Sequence, residues 1–232
     1  MRTWILPALL AAGVPALAAA PEAPAQRRRM VSIGFGLVEP VSKVHFGGGV
    51  GGGSADNGDL GVGLGAQYVH FLTPRLGAGL EADYVTRDGT LSTRLYPAAD
   101  ASVRGDTWLM LALLRYSFLR RGAATPFVLL GAGGAWNKTT VDVKPSEWAD
   151  TGTRETRRLI DDAAWTPAAS ARLGVDLDLD AAGPGFVTLE AGWTGLAHAG
   201  YAETPRGRAL GLEGIRAPLS LLSFTARYSL RF

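Results

Sequence analysis

The chain has 232 residues, with 23 lysines and arginines against 21 aspartates and glutamates, and a formal net charge of +2. This near balance argues against a nucleic-acid partner, because binding to nucleic acid depends on a clear excess of basic residues. There is no cysteine, so no disulfide framework is expected.

The first twenty residues have the features of a secretory signal peptide. Arg2 gives a positive start, an apolar run extends from Ile5 to Ala18, and small residues follow. The triplets at 16–18 and 23–25 both fit an A-x-A cleavage site, and the alternative is an N-terminal anchor helix. We therefore expect residues 1–20 to be a signal peptide with an approximate cleavage point, 21–29 to be a disordered lead-in, and 30–232 to form one domain.

Beyond the leader, apolar side chains recur at every second position, and no run of about 18 consecutive apolar residues occurs. Alternation with period two is typical of β-strands that have one apolar face. Eight such strands are predicted, at Met30–Leu37, Leu60–Leu72, Arg75–Arg87, Thr107–Leu119, Pro126–Asn137, Ala163–Leu179, Phe186–Leu196 and Leu219–Phe232. In the fourth strand the phase is less clear, because Leu109, Leu111 and Leu113 are apolar on the otherwise polar face.

The connections between these strands alternate strictly between short and long. The short ones are at 72–74, 120–125 and 180–185, and they are rich in Pro, Gly or Asp, as tight hairpins require. The long ones are at 38–59, 88–106, 138–162 and 197–217. Short turns at one end and long loops at the other are typical of transmembrane barrels. The sequence thus predicts an all-β fold, an eight-stranded antiparallel up-and-down transmembrane barrel with short periplasmic turns, long extracellular loops and outward apolar faces.

Aromatic residues are expected to form two girdles, because amphipathic rings prefer membrane–water interfaces. The girdle near the short turns would contain Tyr68, Tyr116, Phe118, Tyr228 and Phe232. The girdle near the long loops would contain Tyr84, Trp108, Trp136 and Trp193. The β-propensity of aromatic residues alone is the competing interpretation.

The inward faces of the predicted strands carry charges of both signs. They are Glu81, Asp83, Arg87, Arg115, Arg172, Asp176, Asp178, Glu190, Arg227 and Arg231. Charges that are buried together must pair or form hydrogen bonds, so we expect a salt-bridged network that blocks the lumen at mid-height. A selective pore, a gated proton path, and a catalytic pair such as Glu81 with Glu190 are the functional alternatives.

Several motifs suggest cofactor or metal chemistry but lack the required context. Gly61-x-Gly63-x-x-Ala66 matches a loose dinucleotide fingerprint without the following helix, and the glycine-rich run 47–53 is not followed by Gly-Lys-Ser/Thr. Asp176, Asp178 and Asp180 could bind a cation, although an ion-paired row is favoured. We predict no cofactor, metal or catalytic residue.

The last six residues, Arg-Tyr-Ser-Leu-Arg-Phe, resemble the C-terminal signature of bacterial outer-membrane β-barrels, in which Tyr228, Leu230 and Phe232 match the alternating aromatic and apolar positions. The whole mature chain, after the leader, is similar to the small eight-stranded barrels of the OmpA-like, OmpX-like or OmpW-like type. The resemblance implies an outer-membrane location and recognition of the C-terminal strand by the barrel-assembly machinery. It also implies contact with outer-membrane lipids, and we expect a monomer. No peptidoglycan-binding domain is expected after the barrel.

Three functions follow from this resemblance. The first is a structural or surface-interaction barrel, and the second is a narrow channel for small or hydrophobic solutes, as in the OmpW-like group. The third and least favoured is a lipid-modifying enzyme. The lipid A deacylase family carries His-x-Ser-Asn, whereas this chain has His198-Ala199-Gly200, and His45 and Ser54 are only formal candidates for the His and Ser of the palmitoyltransferase family. Basic residues in the predicted loops, among them Arg104, Lys138 and Arg158, could pair with lipopolysaccharide phosphates or be ordinary solvated charges.

Overall fold

The computed structural model describes residues 28–41, 43–47, 53–56, 60–91, 100–118, 123–144, 157–179, 184–205, 208 and 213–232. The predicted signal peptide and nearly all of the predicted lead-in lie outside these described residues. No helix within the described ranges is long and apolar enough to cross a bilayer.

The described chain forms ten β-strands. They are β1 (Arg29–Pro40), β2 (Lys43–Gly47), β3 (Gly53–Asp56), β4 (Gly61–Phe71), β5 (Leu76–Leu91), β6 (Asp100–Ser117), β7 (Ala124–Lys144), β8 (Arg157–Asp178), β9 (Gly185–Tyr201) and β10 (Glu213–Arg231). The sheet order is β1-β4-β5-β6-β7-β8-β9-β10-β2-β3, and β1 also pairs with β10. Eight strands therefore close into an antiparallel barrel, as predicted.

Closure brings the two ends of the described chain together. Val31 pairs with Leu230 and Leu37 with Phe224 along the β1–β10 seam. Arg29 and Phe232 exchange two backbone hydrogen bonds of 3.0 and 2.9 Å. We call this end of the barrel the short-turn end, because the tight β4–β5 turn also lies there, where Leu72 N donates to Leu76 O over 2.8 Å.

The strands run further from the short-turn end than the alternation predicted. Asp88–Asp106 and Lys138–Asp162 were expected to be loops, but β5, β6, β7 and β8 extend into both, with pairs such as Val103 with Val141. The outward residues of these extensions include the polar Lys138 and Asp142, so hydropathy no longer alternates although the backbone ladder continues. The β2–β3 hairpin, inside the predicted first loop, adds to the upper part of β10.

The polarity of the wall is reversed relative to a water-soluble barrel. Leu64, Leu80 and Phe224 project outward with 66, 65 and 63 % of their surface exposed, whereas Arg115 and Glu81 inside are almost completely buried. The predicted inward and outward phase holds in all eight barrel strands, including β6, where the three leucines at 109, 111 and 113 face inward. We call the outward aliphatic and aromatic surface the apolar belt.

Candidate functional site: the charged lumen

Five charged side chains meet in the middle of the lumen and form what we call the mid-lumen network. Arg172 Nη2 donates to Glu81 Oε2 over 2.7 Å, and its Nη1 donates to Glu190 Oε2 over 3.1 Å. Arg227 Nη2 donates to Glu81 Oε1 over 3.0 Å and to Asp83 Oδ1 over 3.3 Å. Because these residues lie on β5, β8, β9 and β10, the network ties strands that are not neighbours in the sheet.

Small residues on the inner wall make room for these long side chains. A Cβ atom added to Gly65 would collide with the Asp83 carboxylate, and one added to Gly192 would collide with the Arg172 side chain. Gln67 Nε2 completes the cluster by donating to Glu81 Oε2 over 3.4 Å. A buried charge that loses its partners is strongly unfavourable, so the network holds the strands that carry these residues in fixed relative positions.

A second cluster fills the lumen at the short-turn end. Arg115 Nη2 and Arg231 Nη2 both contact Asp176 Oδ2 at 2.5 Å, and Thr188 Oγ1 donates to Asp176 Oδ1 over 3.0 Å. The Arg115 guanidinium lies 3.6 Å from the centroid of the Phe127 ring, and that of Arg231 lies 4.4 Å from the Phe186 ring. We call these residues the lower cluster; stacking on aromatic rings offsets part of the desolvation of its two cations.

Phe127 and Phe186 are among the lumen residues that the sequence reasoning missed, as are Met30, Val69, Phe71 and Leu129. Phe127 and Phe186 are 1 and 2 % exposed and pack inside the barrel. Their apolar character hid them, since the lumen residues singled out from the sequence were charged. The alternation along each strand would have predicted their inward position, because Phe127 directly precedes the outward Val128 and Phe186 directly precedes the outward Val187.

An apolar layer lies between the mid-lumen network and the end with the long connections. Leu109 and Leu111 on β6 are 4 and 2 % exposed, and they belong to a buried cluster that also contains Val38, Val85 and Leu221. Beyond this layer, Thr107 Oγ1 donates to Asn137 Oδ1 over 2.8 Å, and Asn137 Nδ2 donates to Thr166 Oγ1 over 3.2 Å. The same buried cluster also contains Leu113, Phe127 and Leu129, so apolar side chains fill the lumen beside the charged groups as well as above them.

A cavity remains beside the mid-lumen network. It has a volume of about 40 Å³, and its walls include Asp83, Arg172, Arg227, Leu109 and Leu221. Ligand pockets in proteins usually measure about 300–1,000 Å³. This cavity matches a few water molecules in size and does not form a continuous water-filled bore.

Of the ten inward charges predicted to form one lumen network, eight lie in the two clusters, Asp178 is half-buried at the end of β8, and Arg87 lies apart. Arg87 faces inward and is buried, but no carboxylate of the described residues lies within ion-pair distance of it. The prediction of a single network was therefore wrong in this respect. Arg87 is on the β5 extension, and alternation along one strand does not show which charges on other strands stand at the same height.

The outer wall carries aromatic residues at both edges of the apolar belt. Tyr84, Trp108, Trp136 and Trp165 are successive backbone partners around β5, β6, β7 and β8, and the Tyr84 and Trp108 rings lie 4.8 Å apart. Trp165, which is 65 % exposed, was not among the predicted girdle residues. At the short-turn end Tyr228, Leu230 and Phe232 project outward. Their role as an assembly signature stays a prediction.

Basic residues beyond the belt are paired with acidic neighbours on the same surface. Arg158 Nε donates to Asp142 Oδ1 over 3.0 Å, and its Nη1 donates to Asp161 Oδ2 over 3.1 Å. Its hydrogen bond to Asp142 raises the pKa of the exposed Arg158. Pairing of lipopolysaccharide phosphates with these cations would have to compete with the local carboxylates, and it stays a prediction.

The histidines considered for catalysis cannot be placed as a site. His45 and Ser54 are backbone partners in the β2–β3 hairpin, and the side chains of His45, Ser54 and His198 lie outside the described ones. Among the described residues, no group of three or more His, Cys, Asp and Glu side chains could hold a metal ion. Asp180, the third member of the aspartate row, is not described.

A closed eight-stranded antiparallel barrel with an apolar exterior and a charged interior defines the class: this chain has the fold of the small bacterial outer-membrane β-barrels. Among solved structures, it is similar to the outer membrane protein OprG from Pseudomonas aeruginosa, with a TM-score of 0.55 and 17 % identity, covering 89 % of this chain and 97 % of that chain. It is also similar to the outer membrane protease OmpT from Escherichia coli, with a TM-score of 0.51 and 10 % identity, covering 88 % of this chain and 97 % of that chain. No family model and no curated protein matches the chain.

Proposed function

We propose that this protein is an integral outer-membrane barrel with a structural or surface-interaction role, whose lumen is filled by ion-paired side chains. The observation that carries the proposal is the reversed polarity of the wall. Leu64, Leu80 and Phe224 are about two-thirds exposed, while Glu81, Arg172 and Arg227 are nearly inaccessible. Exposing apolar surface to water costs about 25 cal/mol per Å², so a belt of such residues around the barrel favours a lipid surrounding.

The interior supports a closed rather than a conducting barrel. The lower cluster and the mid-lumen network occupy the lumen together with a continuous cluster of buried apolar side chains, and the cavity beside the mid-lumen network is about 40 Å³. An eight-stranded barrel has an interior just wide enough to be filled by side chains. Ions would have to displace buried salt bridges in order to pass.

The partners follow from the surface. Outer-membrane lipids would cover the apolar belt, and the outward Tyr228, Leu230 and Phe232 would be read by the barrel-assembly machinery after export through the predicted signal peptide. Paired cations at the far end, such as Arg158, are the candidate contacts with lipopolysaccharide. Closure of the sheet through the β1–β10 pairing leaves the belt without a free strand edge, which supports a monomer.

The test is electrical recording from purified protein in planar bilayers. The closed barrel is expected to give no steady unitary conductance. A separate experiment verifies insertion, because the spanning strands of inserted protein should resist protease in vesicles. The double variant Glu81→Ser/Arg172→Ser removes the Glu81–Arg172 salt bridge, together with the contacts of Arg172 with Glu190 and of Glu81 with Arg227, without changing the net charge. It is expected to raise conductance, so it controls for the sensitivity of the recording. Stable channels from the unmodified protein would refute the closed lumen, and a protein that stays soluble without detergent would refute membrane insertion.

A narrow channel for small apolar solutes is the second candidate, because Leu109, Leu111 and Leu113 line part of the lumen. If the protein is such a channel, the wild type should carry the solute into liposomes, and the Leu111→Lys variant should not. The closed barrel requires no flux in either protein. A lipid-modifying activity would instead appear as a change in lipid A or phospholipid species when the protein is present.

A further inference from the structure

The mid-lumen network contains more acidic than basic side chains. Its acidic members are Glu81, Asp83 and Glu190, and its cations are Arg172 and Arg227. The side chain of Asp83 is 17 % exposed, and the other four are at most 4 % exposed. If every carboxyl group were ionised, two positive charges would face three negative ones, and an uncompensated buried charge is strongly unfavourable.

The inner wall around the network carries no further charge in contact with it. The inward backbone partners of the three acidic residues are all described and uncharged: Gly65 and Leu109 for Asp83, Gln67 and Leu111 for Glu81, and Gly174 and Thr225 for Glu190. Arg87 on β5 and the lower cluster, which begins at Asp176 on β8, each start four residues along a strand from the network, or about 13 Å.

Asp83 is the carboxyl group with the fewest cationic contacts. Glu81 accepts hydrogen bonds from both arginines, and Glu190 Oε2 lies 3.1 Å from Arg172 Nη1 and 3.5 Å from Arg227 Nε. Asp83 Oδ1 has one described ion-pair contact, at 3.3 Å from Arg227 Nη2, and the same nitrogen lies 3.0 Å from Glu81 Oε1. Two carboxyl oxygens therefore lie against a single nitrogen atom. When two carboxyl groups share a site in this way, a state in which one of them keeps a proton is favoured.

The wall formed by β1 and β4 holds Asp83 against its neighbours. Gly65 is the backbone partner of Asp83, and a Cβ atom there would collide with the Asp83 carboxylate and lie 3.1 Å from Arg227 Nη1. A Cβ atom at Gly34, the next residue around the wall, would lie 2.5 Å from Arg227 Cγ. Because both positions lack a side chain, Asp83 and Arg227 pack directly against this backbone, and nothing from it separates Asp83 from Glu81.

Asp83 also borders the cavity beside the network. The cavity has a volume of about 40 Å³, and its walls include three residues that carry a hydroxyl group, Thr194, Ser223 and Thr225. A polar cavity of this size can hold a few water molecules. Water next to the Asp83 carboxyl group would give a proton a way to leave and return.

We propose that the mid-lumen network binds one proton at neutral pH, shared between the carboxyl groups of Asp83 and Glu81 and exchanged through the cavity. The proton turns one carboxylate into a neutral acid, which donates its hydrogen to the other carboxylate. The network then has no net charge. Loss of the proton at alkaline pH leaves a net negative charge inside the barrel, so the lumen responds to pH. This inference goes beyond the proposed function, because it depends on neither the conductance nor the location of the barrel.

The experiment follows urea unfolding of protein refolded in a non-ionic detergent, from neutral to mildly alkaline pH. A proton that only the folded state holds stabilises that state, so the folding equilibrium constant of the wild type should fall as the pH rises. The limiting slope for one proton is about tenfold per pH unit. Asp83→Asn replaces the shared acid by a neutral amide of the same shape. It should match the wild type at neutral pH and lose much less stability at alkaline pH.

The matched control is Asp161→Asn, the same substitution on the outer surface of β8, which should keep the wild-type slope. Infrared spectra give a second readout. The wild type at neutral pH should show the carbonyl band of a protonated carboxyl group, which disappears as the pH rises and is missing from Asp83→Asn.

The proposal is overturned if the wild type lacks this band at neutral pH, if the band persists in Asp83→Asn, or if the two proteins lose stability in parallel. Should Asp83→Asn fail to fold, the infrared titration of the wild type decides. A band that is lost with rising pH supports the bound proton, and its absence at neutral pH refutes it.

Discussion

An arginine placed in the apolar belt should destabilise the protein in proportion to its depth in the membrane. Leu80 is 65 % exposed on the outer face of β5, beside the outward Ala112 of β6 and Tyr68 of β4. It lies well below the aromatic girdle, since Tyr84 is four residues further along the same strand. Near mid-bilayer, arginine on the lipid face costs about 2–4 kcal/mol, and we expect this loss in the unfolding free energy of Leu80→Arg in lipid vesicles.

Thr86→Arg is the matched control for Leu80→Arg. Thr86 projects from the same face of the same strand, six residues away and beyond Tyr84. At the interface the cost of arginine falls to about 0–1 kcal/mol, so the two variants should differ clearly in urea unfolding from vesicles. Equal effects of the two substitutions, or an unaffected Leu80→Arg protein, would show that the belt does not face lipid.

Three further predictions concern the network, the glycine wall and the chain end. Arg172→Met leaves Glu81 and its neighbours short of a counterion, so it should lower the unfolding free energy in urea by about 3–5 kcal/mol. Adding Glu81→Gln should recover part of that loss, and strictly additive effects of the two substitutions would contradict the coupling. Gly34→Val should lower stability by about 1–3 kcal/mol, because a Cβ there would lie 2.5 Å from an arginine side chain on β10, whereas Gly134→Ala, with its nearest atoms at 3.7 Å, should be tolerated in the same assay. Phe232→Ser should reduce the amount of folded barrel in the outer membrane, but it should change the unfolding free energy of the purified protein by only about 0.5 kcal/mol. An unchanged yield of heat-modifiable barrel would count against the assembly signature.

The sequence predicted the wall of the barrel well because lipid imposes a strict chemical pattern on it. Every residue that faces hydrocarbon must be apolar, and strand geometry sends the next residue to the other side. Glu81, for example, was assigned to the interior and its apolar neighbour Leu80 to the outside, and the structure places them so. The strict alternation of short and long connections likewise gave the direction of each strand.

The same pattern failed where no lipid acts on it. Past the girdle, outward residues such as Lys138 and Asp142 meet water, so the strands that contain them were taken for loops. The inside was only partly predictable for a similar reason, since a filled lumen accepts Phe127 and Leu111 as readily as Arg115.

The sequence by itself determined the fold, the phase of each strand and the set of charges turned inward, because these depend on local alternation. Which charges meet was decided only by the tertiary structure. The stagger between strands sets the height of each side chain in the lumen, so Arg227 reaches Glu81, 146 residues away, while Arg87, on the same strand as Glu81, meets no carboxylate among the described residues.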